Sequence, residues 1–301
     1  MRGWRKNKLK KVLVTGAGGL VGYDVAKLLA SNSDYQVYAT VHNRTIDDLE
    51  HIIQIDLQNM SLETLKINFE YIVHCAASIP GGKNSDERVA YENRCIDDNI
   101  IAYCINHECR LVYISTAAVY DYESGTLLTE TTELKINSGY KYEKRNSELK
   151  IINKCDSYCI LRISSPYGPR QKNMAVIKRF IDAVYRGENI FYFGTGKRTQ
   201  NFIDVRDIAQ AVLKCIECKE NGIFNIASEN AISMRELADL IVKIGKKEFS
   251  TASEVHAANE ADMQENVRVN IDIGLAEKIL GWKPQIQLQD GVNYWMQELE
   301  E

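Results

Sequence analysis

The chain has 301 residues, of which 45% are hydrophobic and 26% charged, a composition typical of a globular protein with a large core. Its formal net charge of -4 gives no electrostatic basis for binding nucleic acid. No apolar run approaches the ~18 residues needed to cross a bilayer, and no apolar stretch of a signal peptide follows the basic first residues. We therefore expect a cytoplasmic protein with no membrane partner.

The cysteines and histidines show no pattern typical of a metal site. Eight cysteines are scattered along the chain, and without a secretory signal they are interpreted as reduced thiols. Cys215 and Cys218 form a C-x-x-C pair, but they lie in a helical stretch with no second Cys/His pair nearby. The sequence therefore predicts no metal.

Apolar strands alternate with amphipathic helices along the chain. Strands are predicted, in chain order, at KKVLVT, QVYATVH, HIIQIDLQ, YIVHCAAS, RLVYISTAAVY and SYCILRISS. Helices are predicted at LVGYDVAKLLAS and SLETLKINF, from about Glu87 to His107, and from about Tyr140 to Asn153. This alternation predicts an α/β fold, a Rossmann-like doubly wound parallel sheet.

The first chemical motif is TGAGGLVG, which runs from a strand into a helix. Gly16, Gly19 and Gly22 are spaced as G-x-x-G-x-x-G, whereas the fingerprint G-x-G-x-x-G would require glycine in place of Val21. Glycines at such a junction allow a tight turn and bring backbone amides and a helix N-terminus close to a pyrophosphate. The motif therefore predicts nucleotide binding.

The second motif is SGYKYEK, in which Tyr140 and Lys144 are four residues apart. On a helix this spacing places both side chains on one face. A free tyrosine has a pKa near ~10, and a neighbouring ammonium favours the phenolate. The pair would then exchange protons more readily at neutral pH, although Tyr-x-x-x-Lys alone is common.

Several motifs together resemble the extended short-chain dehydrogenases/reductases, and within them the NAD(P)-dependent epimerases/dehydratases of nucleotide-activated sugars. The motifs are the glycine turn, HCAA at 74–77, STAAVY at 115–120, YKYEK at 140–144 and LRISSPYGPR at 161–170. The resemblance continues through FGTGKRTQNFIDVRDIAQAV and LGWKPQIQLQDGVNYW and covers nearly the whole chain.

The change of pattern along the chain predicts two structural units. After the turn-rich SSPYGPR the strand–helix pattern becomes less regular, without a flexible linker. We expect an NAD(P)-binding Rossmann domain at 1–165, to which about 200–226 returns. Residues 166–199 and 227–301 are expected to form a smaller C-terminal substrate-binding α/β lobe. A homodimer is implied by the resemblance, through the helices that follow Glu87 and Tyr140.

The resemblance also implies roles for individual residues. Thr116, Tyr140 and Lys144 match the family's catalytic residues, and Asn93 matches a helix asparagine that supports a water relay to the lysine. The implied cofactor-binding residues are Gly16, Gly18, Gly19, Leu20, Val21, Gly22, Asn43, Arg44, Asp56, Leu57, Cys75, Ala76, Ala77, Ser115, Tyr140, Lys144 and Ser165. The implied substrate-binding residues are Ser78, Thr116, Tyr140, Tyr167, Arg198, Gln200 and Arg268.

The substrate lobe departs from the family where an arginine usually meets the phosphates of the nucleotide sugar. Gln200 stands at that position, and Arg198, two residues earlier, is the expected substitute. Lys172 or Arg268 would otherwise supply the positive charge. Elsewhere, Arg162 is expected to be structural and Asp207 to cap a helix.

The end of the second strand bears on the choice of cofactor. NAD-binding members usually carry an acidic residue there, which grips the ribose 2'-hydroxyl. Here VYATVHNR offers no carboxylate, and Arg44 is placed to pair with a 2'-phosphate. NADP is therefore favoured over NAD, with NAD held by other contacts as the alternative.

The residues after Thr116 bear on the reaction. The 4,6-dehydratases carry an Asp-Glu pair there for eliminating water, whereas this chain has Ala117 and Ala118. We therefore expect reduction of a 4-keto (6-deoxy) sugar nucleotide, with Tyr140 as general acid. The alternative is NAD-dependent 4-epimerisation through a transient 4-keto sugar. A non-catalytic redox sensor or scaffold is less favoured, because Tyr140 and Lys144 are both present.

Overall fold

A seven-stranded parallel sheet forms the centre of the protein, which is known here from a computed structural model describing residues 8–80, 85–120, 122, 125–134, 136 and 139–300. Its strands are β1 Lys10–Thr15, β2 Tyr35–Val41, β3 His51–Gln54, β4 Tyr71–His74, β5 Arg110–Thr116, β6 Tyr158–Ile163 and β11 Gly222–Ile226. Their order is β11-β6-β5-β4-β1-β2-β3. The order reverses between β1 and β4, which is where open α/β sheets bind ligands.

Helices cover both faces of this sheet. The bounds are α1 Leu20–Ala30, α2 Asp86–His107, α3 Gly139–Lys154, α5 Val205–Glu217 and α7 Gly274–Leu280. Side chains of α1, α5 and α7 share one apolar core with the sheet, and those of α2 and α3 share a second core on the opposite face. Central strands such as β1 are buried on both sides, which explains their continuous apolar sequence. The predicted Rossmann-like α/β fold is confirmed.

A third apolar core holds a smaller group of elements. They are β7 Ser165–Tyr167, α4 Val176–Tyr185, β8 Ile190–Tyr192, β9 Thr199–Gln200, β10 Phe202–Asp204, β12 Ile232–Ser233, α6 Met234–Glu248, β13 Val255–Ala257 and α8 Leu288–Gln297. Every one of these elements except β9 contributes side chains to this core, in which Phe180 of α4, Leu237 of α6 and Trp295 of α8 meet. The predicted division of the chain stays a prediction, and α7, within 227–301, packs on the main sheet.

Two local predictions are wrong. SLETLKINF forms only a short 3-10 helix, Leu62–Leu65, because Lys66 adopts a left-handed backbone conformation with φ 52° and ends it. Asp204 rather than Asp207 caps α5, accepting a hydrogen bond from the Arg206 backbone N–H. The Asp207 carboxylate instead accepts the N–H groups of residues 285 and 286, at 3.0 Å each, and so ties down the segment after α7.

Several predicted features concern partners and redox state. Within the described residues, no helix has the length and apolar character to cross a membrane, and no three His, Cys, Asp or Glu side chains are grouped as a metal site would require. All eight cysteines are free thiols. Tyr91 and Ile105 of α2 and Leu149 of α3 are exposed, and the homodimer expected through these helices stays a prediction.

Candidate active site

The glycine turn, residues 16–22, lies at the carboxyl end of β1. Gly16 has a φ of +67°, and a Cβ there would lie 2.7 Å from the Ala76 Cα. A Cβ at Gly22 would lie 2.4 Å from the Gly16 carbonyl oxygen, so α1 packs directly on the turn. Since α1 begins at Leu20, the amides of its first turn have no partner within the helix. This arrangement fits the pyrophosphate of a dinucleotide.

A cavity of about 1160 Å³ extends from the glycine turn to α3, slightly more than the volume of about 300 to 1,000 Å³ that is usual for ligand sites. All 17 residues predicted to bind the cofactor line it, and so do Ser78, Thr116, Arg198 and Gln200 from the predicted substrate set. The sequence motifs therefore come together around one space.

Thr116, Tyr140 and Lys144 all line this cavity. Thr116 ends β5, and its hydroxyl oxygen accepts the Ala118 N–H at 3.1 Å. Tyr140 lies in the first turn of α3, where its backbone N–H donates to Asp86 at 3.1 Å. Lys144, one turn later, is 2% exposed. The wall of one cavity thus contains a hydroxyl, a phenol and an ammonium.

The electrostatics of the pair differ from the sequence-based expectation. Burial raises the pKa of Tyr140, and the charge of Asp97 raises it further. The Lys144 ammonium is 3.9 Å from Asp97 and donates to the Tyr113 hydroxyl at 3.0 Å and to the Ile114 carbonyl at 3.4 Å. Burial, followed by the charge of Asp97, therefore makes the protein itself favour the neutral phenol, whereas the sequence-based expectation considered only the ammonium.

Asn93 is fully buried, and its bonded partners are backbone groups. Its Oδ1 accepts the Ser78 N–H at 2.9 Å, and its Nδ2 donates to the carbonyls of Ser78 and Val89 at 2.8 and 2.9 Å. Asn93 therefore holds the loop after β4 against α2. The water relay to Lys144 stays a prediction.

Two predicted substrate residues lie away from the cavity. Tyr167 packs in the third apolar core, and Arg268 donates to the carbonyls of Glu265 and Val267 at 2.7 and 2.8 Å. Arg198 does line the cavity, but its guanidinium is engaged by Asp262 at 2.8 Å. These cations are therefore partly occupied by the protein's own acceptors.

Glu92 is a cavity residue that the sequence analysis missed. Its carboxylate accepts from the Ser78 hydroxyl at 2.6 Å and from Arg88 at 2.7 Å, and these bonds hold the pKa of Glu92 below its usual range. The i,i+4 spacing from Arg88 and the position directly before Asn93 were the available signals. Other missed residues of the cavity wall include Ile79, Ile96, Lys141, Arg170, Asn173 and Gln264.

Comparison with known proteins agrees with this geometry. Residues 12–227 match the NAD dependent epimerase/dehydratase family. The chain is 31% identical to a putative UDP-glucose 4-epimerase of Methanocaldococcus jannaschii, over 93% of this chain and 95% of that protein. It is 26% identical to a dTDP-D-glucose 4,6-dehydratase of Bos taurus, over 94% and 86% of the two chains.

A solved structure shows the same fold. The UDP-glucuronic acid 4-epimerase of Bacillus cereus, in complex with UDP-glucuronic acid and NAD, superposes with a TM-score of 0.82 at 23% identity, covering 96% of this chain and 99% of that one. The chain therefore belongs to the NAD dependent epimerase/dehydratase family and is an enzyme of the short-chain dehydrogenase/reductase type.

Proposed function

We propose that this enzyme is an NAD-dependent 4-epimerase of a UDP-activated hexose. The observation that carries the proposal is that Thr116, Tyr140, Lys144 and the glycine turn line one cavity, while Ala117 and Ala118 follow Thr116. The relative at 31% identity, named a putative UDP-glucose 4-epimerase, supports it. This ranks epimerisation above the net reduction that the sequence favoured.

The proposed chemistry uses the three side chains twice. NAD, if bound along the glycine turn, would supply a hydride acceptor for a sugar carbon and would return the hydride to it. Thr116 holds the C4 oxygen while Tyr140 takes its proton, so that loss of hydride from C4 leaves a 4-keto sugar. When the ketone presents its other face, Tyr140 returns the proton to the same oxygen as C4 regains hydride. Oxidation and reduction balance, and no water is eliminated.

Lys144 supports this exchange from the next turn of the same helix. Its ammonium is held at the cavity wall, one helical turn from Tyr140, and favours the phenolate each time the proton is taken. Asp97 opposes that effect and stabilises the phenol that must return the proton. The two charges therefore keep Tyr140 able to act in both directions.

Net reduction with NADPH is the second candidate, and Arg44 is the observation that favours it. Arg44 lines the cavity and donates to the Gly18 carbonyl at 2.7 Å, which places its guanidinium beside the glycine turn. Residues 41–44, at the end of β2, contain no carboxylate. A 2'-phosphate would be bound there more readily than in a site with an acidic residue.

The test is to incubate the full-length protein with NAD and, separately, UDP-glucose, UDP-N-acetylglucosamine and UDP-glucuronate. Proton NMR should detect the C4 epimer of at least one sugar without net accumulation of reduced nicotinamide. A parallel reaction supplies NADPH and a 4-keto-6-deoxy nucleotide sugar. Consumption of NADPH without any epimer would favour the reductase. If neither reaction occurs, both candidate functions are contradicted.

A further inference from the structure

A chain of buried polar side chains joins the glycine turn to the lysine of the active site. Its members are Thr15 of β1, His74 of β4, Asp97 of α2, Tyr113 of β5 and Lys144 of α3, none more than 2% exposed. We call this set the Asp97 network. Five different elements contribute to it, so it has no local sequence signature.

Asp97 lies at the centre of the network. Its Oδ1 is 2.9 Å from His74 Nε2, and its Oδ2 is 2.5 Å from the Tyr113 hydroxyl oxygen. Although burial opposes its charge, Lys144 and the bonds to His74 and Tyr113 lower the pKa of Asp97 to about 2. An ionised carboxylate only accepts, so His74 donates through Nε2 and Tyr113 donates through its hydroxyl.

The donors and acceptors of the remaining hydrogen bonds, at His74 and Thr15, follow from these assignments. Burial lowers the pKa of His74, so the ring is neutral and its Nδ1 accepts from the Thr15 hydroxyl at 2.7 Å. The Thr15 oxygen accepts the N–H groups of Cys75 and Ala76, at 3.1 Å each, in the loop that lines the cavity. One hydrogen-bond pattern thus fixes the start of the glycine turn against the loop after β4.

At the other end, Tyr113 donates its one hydroxyl hydrogen to Asp97, so its oxygen accepts the hydrogen bond from Lys144 at 3.0 Å. The ammonium also lies 4.5 Å from the centre of the Tyr113 ring. The titratable groups around Asp97 are therefore His74 on β4, Tyr113 on β5, and Lys144 and Tyr140 on α3.

We propose, on the basis of the proposed function, that Asp97 is a positioning residue which fixes the Lys144 ammonium through Tyr113. A buried ion pair rarely improves stability over apolar side chains of similar volume. The connection to the cavity through Lys144 gives this one a role in the chemistry.

The test compares Asp97→Asn and Tyr113→Phe with Asp98→Asn in the full chain. Asp98 is the matched control, since it follows Asp97 directly but is exposed and pairs with Lys150 at 2.6 Å. Each protein is assayed for epimerisation from about pH 6 to about pH 9, for NAD affinity by tryptophan fluorescence, and for melting temperature.

Asp97→Asn should reduce kcat/KM at neutral pH about tenfold or more, because the ammonium is no longer held in place. It should also move the rise of kcat/KM with pH to lower pH, because the charge that opposes the Tyr140 phenolate is gone. Tyr113→Phe retains the carboxylate, so turnover should fall while the pH profile stays in place. Asp98→Asn should match the wild type.

The proposal is overturned if Asp97→Asn keeps the wild-type pH profile and NAD affinity, even if its melting temperature falls. If the wild type epimerises none of the sugars, the NAD titration decides instead. An NAD affinity about tenfold lower for Asp97→Asn and unchanged for Asp98→Asn would support the role of Asp97 while the epimerase proposal fails. Equal NAD affinities would contradict the role of Asp97 as well.

Discussion

Two buried ionic groups share β5 and α3, and only one of them places a charged side chain at the cavity wall. The first, which we call the Arg162 clasp, pairs Arg162 of β6 with Glu148 at 3.0 and 2.7 Å through two guanidinium nitrogens. Glu148 also accepts from Ser115 at 2.6 Å and Arg145 at 2.9 Å, and Arg162 donates to the Tyr120 hydroxyl at 2.9 Å. Every oxygen of this carboxylate is therefore occupied.

The Asp97 network uses Tyr113, which stands two residues before Ser115 on β5. Its cation is the ammonium of Lys144 rather than a guanidinium. Lys144 lines the cavity, whereas Arg162 does not. A planar guanidinium paired through two bonds holds one geometry, while an ammonium binds as a point charge with rotatable donors. The comparison indicates that the clasp holds β5, β6 and α3 together, while the neighbouring network presents the Lys144 ammonium to the cavity.

Removing the Tyr140 hydroxyl is the most direct way to separate chemistry from scaffold. Tyr140→Phe should lower kcat by about a thousandfold, because only the proton route is lost, with little change in NAD affinity or melting temperature. Tyr142→Phe, two residues along α3 and 39% exposed, is the control. Measured kcat values would contradict the assignment if the two variants turned over equally.

Glu148→Gln tests the clasp. In glutamine an NH2 group replaces one carboxylate oxygen, and this group cannot accept the hydrogen bonds that Arg145 and Arg162 donate to Oε2. The buried guanidinium of Arg162 also loses its counter-charge. The free energy of unfolding should fall by about 3 kcal/mol, measured by urea denaturation. Glu143→Gln makes the same change on α3 outside the clasp and should have little effect. A small loss of unfolding free energy in both variants would contradict the structural role proposed for the clasp.

Much of the site could be predicted because its residues are close in sequence or follow regular spacing. The glycine turn, the Thr116 strand end and the Tyr140–Lys144 pair each depend on one strand or one helix. The Asp97 network depends on the rotation of α2 against the sheet, which brings Asp97 to His74, 23 residues away. Local periodicity does not specify that packing, so neither the network nor the direction of the Tyr140 pKa was predicted.

The capping error has the same origin. Asp204 and Asp207 both stand near the start of α5, and the sequence does not distinguish them. The segment after α7 distinguishes the two residues, because the backbone N–H groups of residues 285 and 286 donate to the Asp207 carboxylate and have no other acceptor in the described hydrogen bonds. A contact 78 residues away in the chain therefore decided a choice that local rules left open.

Asp24 of α1 provides a contrast with both groups, since it is a half-buried acid near another acid. Burial and the charge of Asp204 raise its pKa from 3.8 to about 6, although Arg206 and Arg170 oppose the shift. An acid with a raised folded-state pKa destabilises the fold where it is ionised, and the penalty disappears as pH falls from about 6 toward 4.

Asp24→Asn should therefore raise the free energy of unfolding by about 2 kcal/mol near pH 8, with little gain near pH 4. Asp34→Asn, at an exposed position beyond the same helix, is the control. Urea denaturation at the two pH values measures the difference. If the free energy of unfolding rose equally at both pH values, the ionisation of Asp24 would not be what destabilises the folded protein.

Arg44 extends the comparison to the other end of the cavity, because it resembles Lys144 in being a cation at the cavity wall. Its one described bond, to the Gly18 carbonyl, uses only part of a guanidinium with five N–H donors. If the remaining donors meet a 2'-phosphate, Arg44→Ala should weaken NADPH about tenfold and NADH less than about twofold in fluorescence titrations. Arg44→Lys keeps the charge but not the fork, and should fall between the two. Equal losses for both cofactors would mean that Arg44 shapes the glycine turn and does not select the cofactor, which would favour the NAD-dependent epimerase over the reductase.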